Sequence, residues 1–103
     1  RKTLVFEHLK CSKAEGELIR YVCRGYVKGI EEVSVLDMLK SLYNDKSYTY
    51  IQRLPQVKRL LDLGWLIQIS FGQAKAHESS LLELLNASVT PSISLLRLLE
   101  IGS

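Results

Sequence analysis

The stretch VKRLLDLGWLIQI, residues 57–69, decides the fold. A cationic, Leu-rich run stops at Gly64, and an apolar run led by Trp65 begins at once. Val57, Leu60, Leu61 and Leu63 read as the inner side of a helix. Gly64 reaches the left-handed conformation that ends a helix without steric cost. Trp65, Leu66, Ile67 and Ile69 then read as the start of a strand over Leu66–Phe71.

Upstream of this junction the pattern is helical. Ser12 with Glu15 three residues later is a capping box, so the first helix starts there. Leu18, Ile19, Val22, Cys23 and Tyr26 recur at helical spacing as its buried stripe, opposite Lys13, Glu17, Arg20, Arg24 and Lys28. Gly29 ends it. Ser34 caps a second helix, with Asp37 at the reciprocal position and Val33 and Met38 as its hydrophobic staple. Val35, Leu39 and Leu42 face inward. Asn44 to Ser47 is a turn by composition. The third helical region runs from about Tyr48 to Leu63 and continues across Pro55 with a kink, because Ile51, Leu54 and Leu61 share a face.

Downstream, Gly72-Gln73 is a turn signal, and Ala74 to Glu78 is expected to return as a second strand. Ser79 to Leu85 is apolar on too many faces to assign. Thr90-Pro91 reads as the start of a last, Leu-rich helix that ends at Gly102. Near the beginning, residues 4–9 suit an edge strand or a lead-in. The order is helix, helix, helix, hairpin, helix. The expected fold class is mainly α with a small β-hairpin (α+β): a winged helix-turn-helix with an extra C-terminal helix. The alternative is an unrelated small helical bundle with a hairpin. Residues 1–88 are expected to form the winged-helix domain, and 89–103 a C-terminal helix or connector toward a further domain.

The 103 residues make one domain's worth of chain, and 47% hydrophobic content is enough for one modest core. No apolar run approaches the ~18–20 residues that span a bilayer. The start does not resemble a signal peptide, and the ends read as those of a fragment. Cys11 and Cys23 match no redox or zinc spacing and read as reduced thiols of a cytoplasmic protein.

Net charge is +3. It divides as +4 over residues 1–28, −2 over 29–48, +3 over 49–75 and −2 over 76–103. The positive charge thus flanks the opening segment and the Gly-Trp junction, a mild electrostatic footprint.

Enzyme chemistry finds little support. A G-x-x-x-x-G-K-[ST] loop is absent from the sequence. His8 and His77 lie far apart and, with the two cysteines, offer no paired metal ligands. No catalytic residue, metal site or cofactor is expected in this stretch of chain.

Binding is better supported. The third helix of a winged helix enters the major groove in DNA-reading members, and its outward face would present Gln52, Arg53, Gln56 and Arg59. Arg suits guanine and Gln suits adenine. Lys58 would hold a phosphate, Lys75 would act from the wing, and Arg20, Arg24 and Lys28 would add backbone contacts. Against DNA stand the single wing cation and the proline in the reading helix. Tyr43, Tyr48 and Tyr50 cluster near the turn before that helix, as loop packing or as anchors for a protein partner.

The run EEVSVLDMLKSLYNDKSYTYIQRLPQVKRLLDLGWL (31–66), with KAEGELIRYVCRGYVKG (13–29), resembles the winged-helix region that precedes the ATPase module in some bacterial AAA-type ATPases. VTPSISLLRLLEIG (89–102) resembles the connecting segment that leads into that module. The resemblance implies a parent protein that binds and hydrolyses ATP outside this region. The family's nucleotide-binding motifs match no position here. The leading expectation is therefore a non-catalytic binding or regulatory module of a larger intracellular AAA-type ATPase. Its partner would be the attached ATPase module or another protein, with no membrane. The alternative is a transcriptional or replication regulator that binds duplex DNA. A third reading is oligomerisation through the Leu95–Leu99 helix.

Overall fold

The computed structural model describes residues 11–44, 47–69 and 81–99. Helix α1 (Lys13–Val27) opens with the expected capping box. Ser12 Oγ accepts from the Glu15 N–H at 3.2 Å, and Glu15 Oε1 accepts from the Ser12 N–H at 3.0 Å. A two-residue strand β1 (Val33–Ser34) runs straight into α2 (Val35–Tyr43), whose Asp37 N–H donates to Ser34 Oγ. Asn44, left-handed at φ 53°, closes α2.

Helix α3 (Ser47–Leu63) is continuous across Pro55. Pro55 faces solvent, where the hydrogen bond it forfeits opens toward water and not toward the core. Tyr50, Leu54, Val57 and Leu60 turn inward. Gly64, at φ 86°, ends the helix as the sequence predicts, and the Trp65 N–H reaches back to the Leu60 carbonyl at 3.1 Å. Strand β2 (Leu66–Ile69) follows, then a 3-10 helix (Leu81–Asn86), β3 (Ser88–Pro91) and α4 (Ile93–Leu99).

Among the described residues the sheet is antiparallel with order β1-β3-β2, so the strand that comes last in sequence sits in the middle. This differs from the expected hairpin in two ways. The strand β1 is additional, and β2 pairs with Ser88–Pro91. The proposed return strand Ala74–Glu78, the Gly72-Gln73 turn, the lead-in at residues 4–9 and the Gly102 stop lie outside the described residues.

Thr90-Pro91 ends a strand instead of starting a helix. The register shows how a central strand accepts a proline. The Ser92 N–H donates to the Trp65 carbonyl, so Thr90 bonds toward β2 while Val89 and Pro91 face the β1 side. Strand β1 spans only Val33 and Ser34, opposite Val89 and Ser88, and has ended before it reaches Pro91. The missing proline N–H therefore removes no ladder bond. The cap of α4 is Ser92, whose Oγ accepts from the Leu95 N–H at 3.1 Å.

One core joins all these elements. Leu18, Ile19 and Val22 of α1 meet Met38 and Leu39 of α2, Leu54, Val57 and Leu60 of α3, and Val89 of β3. Leu95 is fully buried with them, and Leu99 packs against the cluster. The boundary drawn between residues 88 and 89 thus falls inside β3, because Val89 and Leu95 are part of the core. Cys23 is buried in it, as expected, and Tyr26 is only half-buried. Two inward assignments on α3 are corrected. Ile51 is 53% exposed and Leu63 is 46% exposed. Both lie to the side of the Tyr50–Leu54–Val57–Leu60 stripe, at angles where hydrophobicity alone does not secure burial. Among the described residues, no helix is long and apolar enough to cross a membrane.

Candidate functional site

The candidate face is the solvent side of α3. A 3.6-residue turn that buries Tyr50, Leu54, Val57 and Leu60 sends Tyr48, Ile51, Gln52, Pro55, Lys58, Arg59 and Asp62 outward. Gln52 is exposed as predicted. Arg53 and Gln56 are not fully outward. Both are half-buried, on the flank that turns toward the other helices.

Arg53 lies with its guanidinium 5.3 Å from the centroid of the Tyr43 ring, a cation–π contact. The Tyr43 hydroxyl in turn donates to Glu17 Oε1 at 3.5 Å, at the long end of hydrogen-bonding range. Burial first, and the Glu17 charge second, push the Tyr43 phenol up, which keeps it a donor. One chain of contacts thus links α3, α2 and α1. Arg53 Nε and Gln56 Oε1 are both buried without a hydrogen-bond partner among the described residues.

Arg59 is committed more firmly. Its Nη1 donates to Glu15 Oε1 at 2.6 Å, across 44 positions of sequence. Glu15 is only 5% exposed. The same oxygen caps α1, so this carboxylate serves the helix start and the α1–α3 packing together. Cys11 sits beside this pair, and its thiol is pushed up by burial and by the Glu15 charge, against a smaller opposing effect of Arg59. Lys58 pairs with Asp62 one turn along, at 3.1 Å, with both side chains largely in solvent. Such an exposed pair adds little stability but cancels charge on the outer face.

The cations expected to act with α3 are elsewhere. Arg24 lies nine residues after Glu15, half a helical turn around α1 from the edge that meets Arg59. Arg20, Arg24 and Lys28 are all exposed, and Arg24 and Lys28 border an open groove against β1 and the start of α2. Lys75 lies outside the described residues. The expected face therefore divides into an α3 surface and a separate α1 groove.

Beside Gln52 and the Lys58–Asp62 pair, the outer side of α3 presents an apolar strip. Tyr48 is 64% exposed, with Ile51 and Pro55 following on the same side. Of the three clustered tyrosines, Tyr50 is core and Tyr43 is tied to Arg53 and Glu17. Tyr48 alone keeps the geometry of an anchor. Placing Ile51 inside had hidden this face. Taking Tyr50 with Leu54, Val57 and Leu60 as the inner stripe recovers it from spacing alone. Among the described residues no group of His, Cys, Asp or Glu is arranged to hold a metal ion. No protein-family profile, characterised protein or solved structure matches this chain.

Proposed function

We propose that this chain is a winged-helix module that binds a protein partner through the outer face of α3, in the setting of a larger AAA-type ATPase, and that it catalyses no reaction itself. The order α1-β1-α2-α3-β2-β3 with β3 central supports the winged-helix reading. The ATPase setting rests on the resemblance of residues 13–29, 31–66 and 89–102. It is checked by a G-x-x-x-x-G-K-[ST] motif in the coding sequence that follows residue 103.

One observation carries the choice of protein over DNA. Two cations of α3 are engaged within the fold, Arg59 by Glu15 and Arg53 over Tyr43, and the charge of Lys58 is offset on the surface by Asp62. The face between them offers Tyr48, Ile51 and Pro55. DNA affinity grows with the number of phosphates neutralised, and this face supplies few cations for that. An aromatic beside aliphatic side chains is the composition of a protein contact.

The test is a fluorescence-anisotropy titration with mixed-sequence duplex DNA at low and moderate salt. No saturable binding at low salt is expected. Saturable, salt-sensitive binding that is lost in Gln52→Ala and Lys58→Ala would overturn the reading in favour of a DNA-binding regulator. Both residues are exposed, so these variants leave the core intact.

A further inference from the structure

The α3 face does not account for the groove on the other side of α1. Its volume is about 400 Å³, within the range of small recognition sites. Gly25, Ile30 and Val33 give its lining an apolar part, and Tyr21 lines it too. The Tyr21 hydroxyl donates to Ser41 Oγ at 3.2 Å, which fixes α1 and α2 to each other there. Gly25 leaves the apolar part open, and a Cβ at this position would stand 3.6 Å from Val33 Cγ2.

The walls carry opposite charges. Arg24 comes from α1 and Lys28 is its C-cap, while Glu32 and Asp37 come from the approach to β1 and the first turn of α2. None of the four makes an ion pair with a described residue, so both signs line the groove without pairing there. An occupant that satisfies both signs brings a carboxylate and a cation, and lies against the apolar part of the lining.

The backbone adds a direction. Val35 N–H donates to the Ala87 carbonyl, so in this register Val33 bonds to β3 while the Ser34 N–H points away from it. Among the described residues strand β1 is an edge of the sheet, and Val33 and Ser34 line the groove. An edge that offers a backbone donor beside charged walls suits an extended chain, which pairs through its main chain and is selected by its side chains.

We infer that this groove binds an extended peptide segment of a partner protein, one that carries an acidic and a basic side chain at a fixed separation. The acidic residue meets Arg24 and Lys28, and the basic residue meets Glu32 and Asp37. The inference rests on the reading of the chain as a protein-binding module, but at a surface separate from α3.

A display library of linear peptides is panned on the folded chain, and the most enriched peptide, fluorescein-labelled, is titrated by anisotropy. The enriched peptides are expected to hold a carboxylate and a cation at constant spacing. Arg24→Glu alone, and Asp37→Lys alone, each weaken binding by about tenfold or more. The double variant then regains binding to a peptide with its two charged residues exchanged. Glu32→Lys replaces Asp37→Lys if the latter lowers helicity, because Asp37 also stands in the first turn of α2. Absence of any enriched peptide, enrichment without paired charges, or binding indifferent to these reversals would overturn the inference. Binding lost in Ile51→Asp but kept in Arg24→Glu would move the site to α3. That outcome removes the groove and leaves the proposed function standing.

Discussion

Replacing Arg59 by Ala separates a structural arginine from a nucleic-acid-reading one. Arg59 Nη1 stands 2.6 Å from a carboxylate that is 5% exposed, while the Arg59 side chain itself is 45% exposed. A hydrogen bond to a charged group contributes about 1.5–3 kcal/mol, and breaking a fully buried pair costs about 3–5 kcal/mol. The exposure of Arg59 lets water reach one side of the pair, so the lower range applies, at about 2 kcal/mol. Glu15 keeps its second role, because its Oε1 still accepts from the Ser12 N–H. A chain of this size has a urea slope at the low end of about 1–3 kcal/mol per molar, so the midpoint falls by about 1–2 M. Trp65, the one tryptophan, is half-buried and reports the transition by fluorescence. A double-mutant cycle with Glu15→Gln isolates the pair, with an expected coupling of about 1–2 kcal/mol. A coupling under about 0.5 kcal/mol would refute the claim that Arg59 is committed to the fold, and would return it to the list of candidate DNA contacts.

Gly64, just past the end of α3, and Gly25, within α1, should respond to alanine in opposite directions. Gly64→Ala, at φ 86°, loses about 1 kcal/mol in urea denaturation, whereas Gly25→Ala, with no neighbour nearer than 3.6 Å, gains about 0.5–1 kcal/mol. Leu95→Ala should cost about 2–5 kcal/mol in the same assay, since Leu95 is fully buried; a loss below about 1 kcal/mol would mean that α4 is a detachable connector. Burial pushes the Cys23 thiol from 9.0 up to about 11, so the folded state holds the proton more tightly than the unfolded one. That contribution is complete below pH 9.0 and is lost as pH rises toward about 11. Between pH 9 and about pH 10 the chain should lose about 1 kcal/mol more stability than its Cys23→Ala variant. Parallel losses in the two proteins would refute this.

The helices were legible because their signals are local. The Ser12–Glu15 box, the Ser34 cap and Gly64 each act within one turn, and all three stand where the spacing puts them. The sheet was not, because its pairing depends on partners far apart in sequence. Val33 looked like a staple residue, and nothing near it announces Val89 as its strand partner. Thr90-Pro91 has the composition of a helix start, and only the early end of β1 makes a proline acceptable in a central strand. The candidate site fared similarly. Residue type placed Arg53 and Arg59 on an outward face, while their positions are set by Tyr43 on α2 and Glu15 on α1. A helical wheel shows which side of α3 is outward but not which neighbours claim its edges.

The central place of Ser88–Pro91 also bears on how the chain is made. Among the described residues, strands β1 and β2 do not pair with each other, and each pairs with β3. During synthesis, α1, α2 and α3 leave the ribosome before Ser88–Pro91, the strand that joins β1 to β2. Until residue 91 emerges, β1 and β2 lack the strand that pairs with each of them here. Chains truncated before residue 88 should therefore keep helical content and lose the β1–β3 and β2–β3 pairings, so the strand made last is the one that closes this sheet.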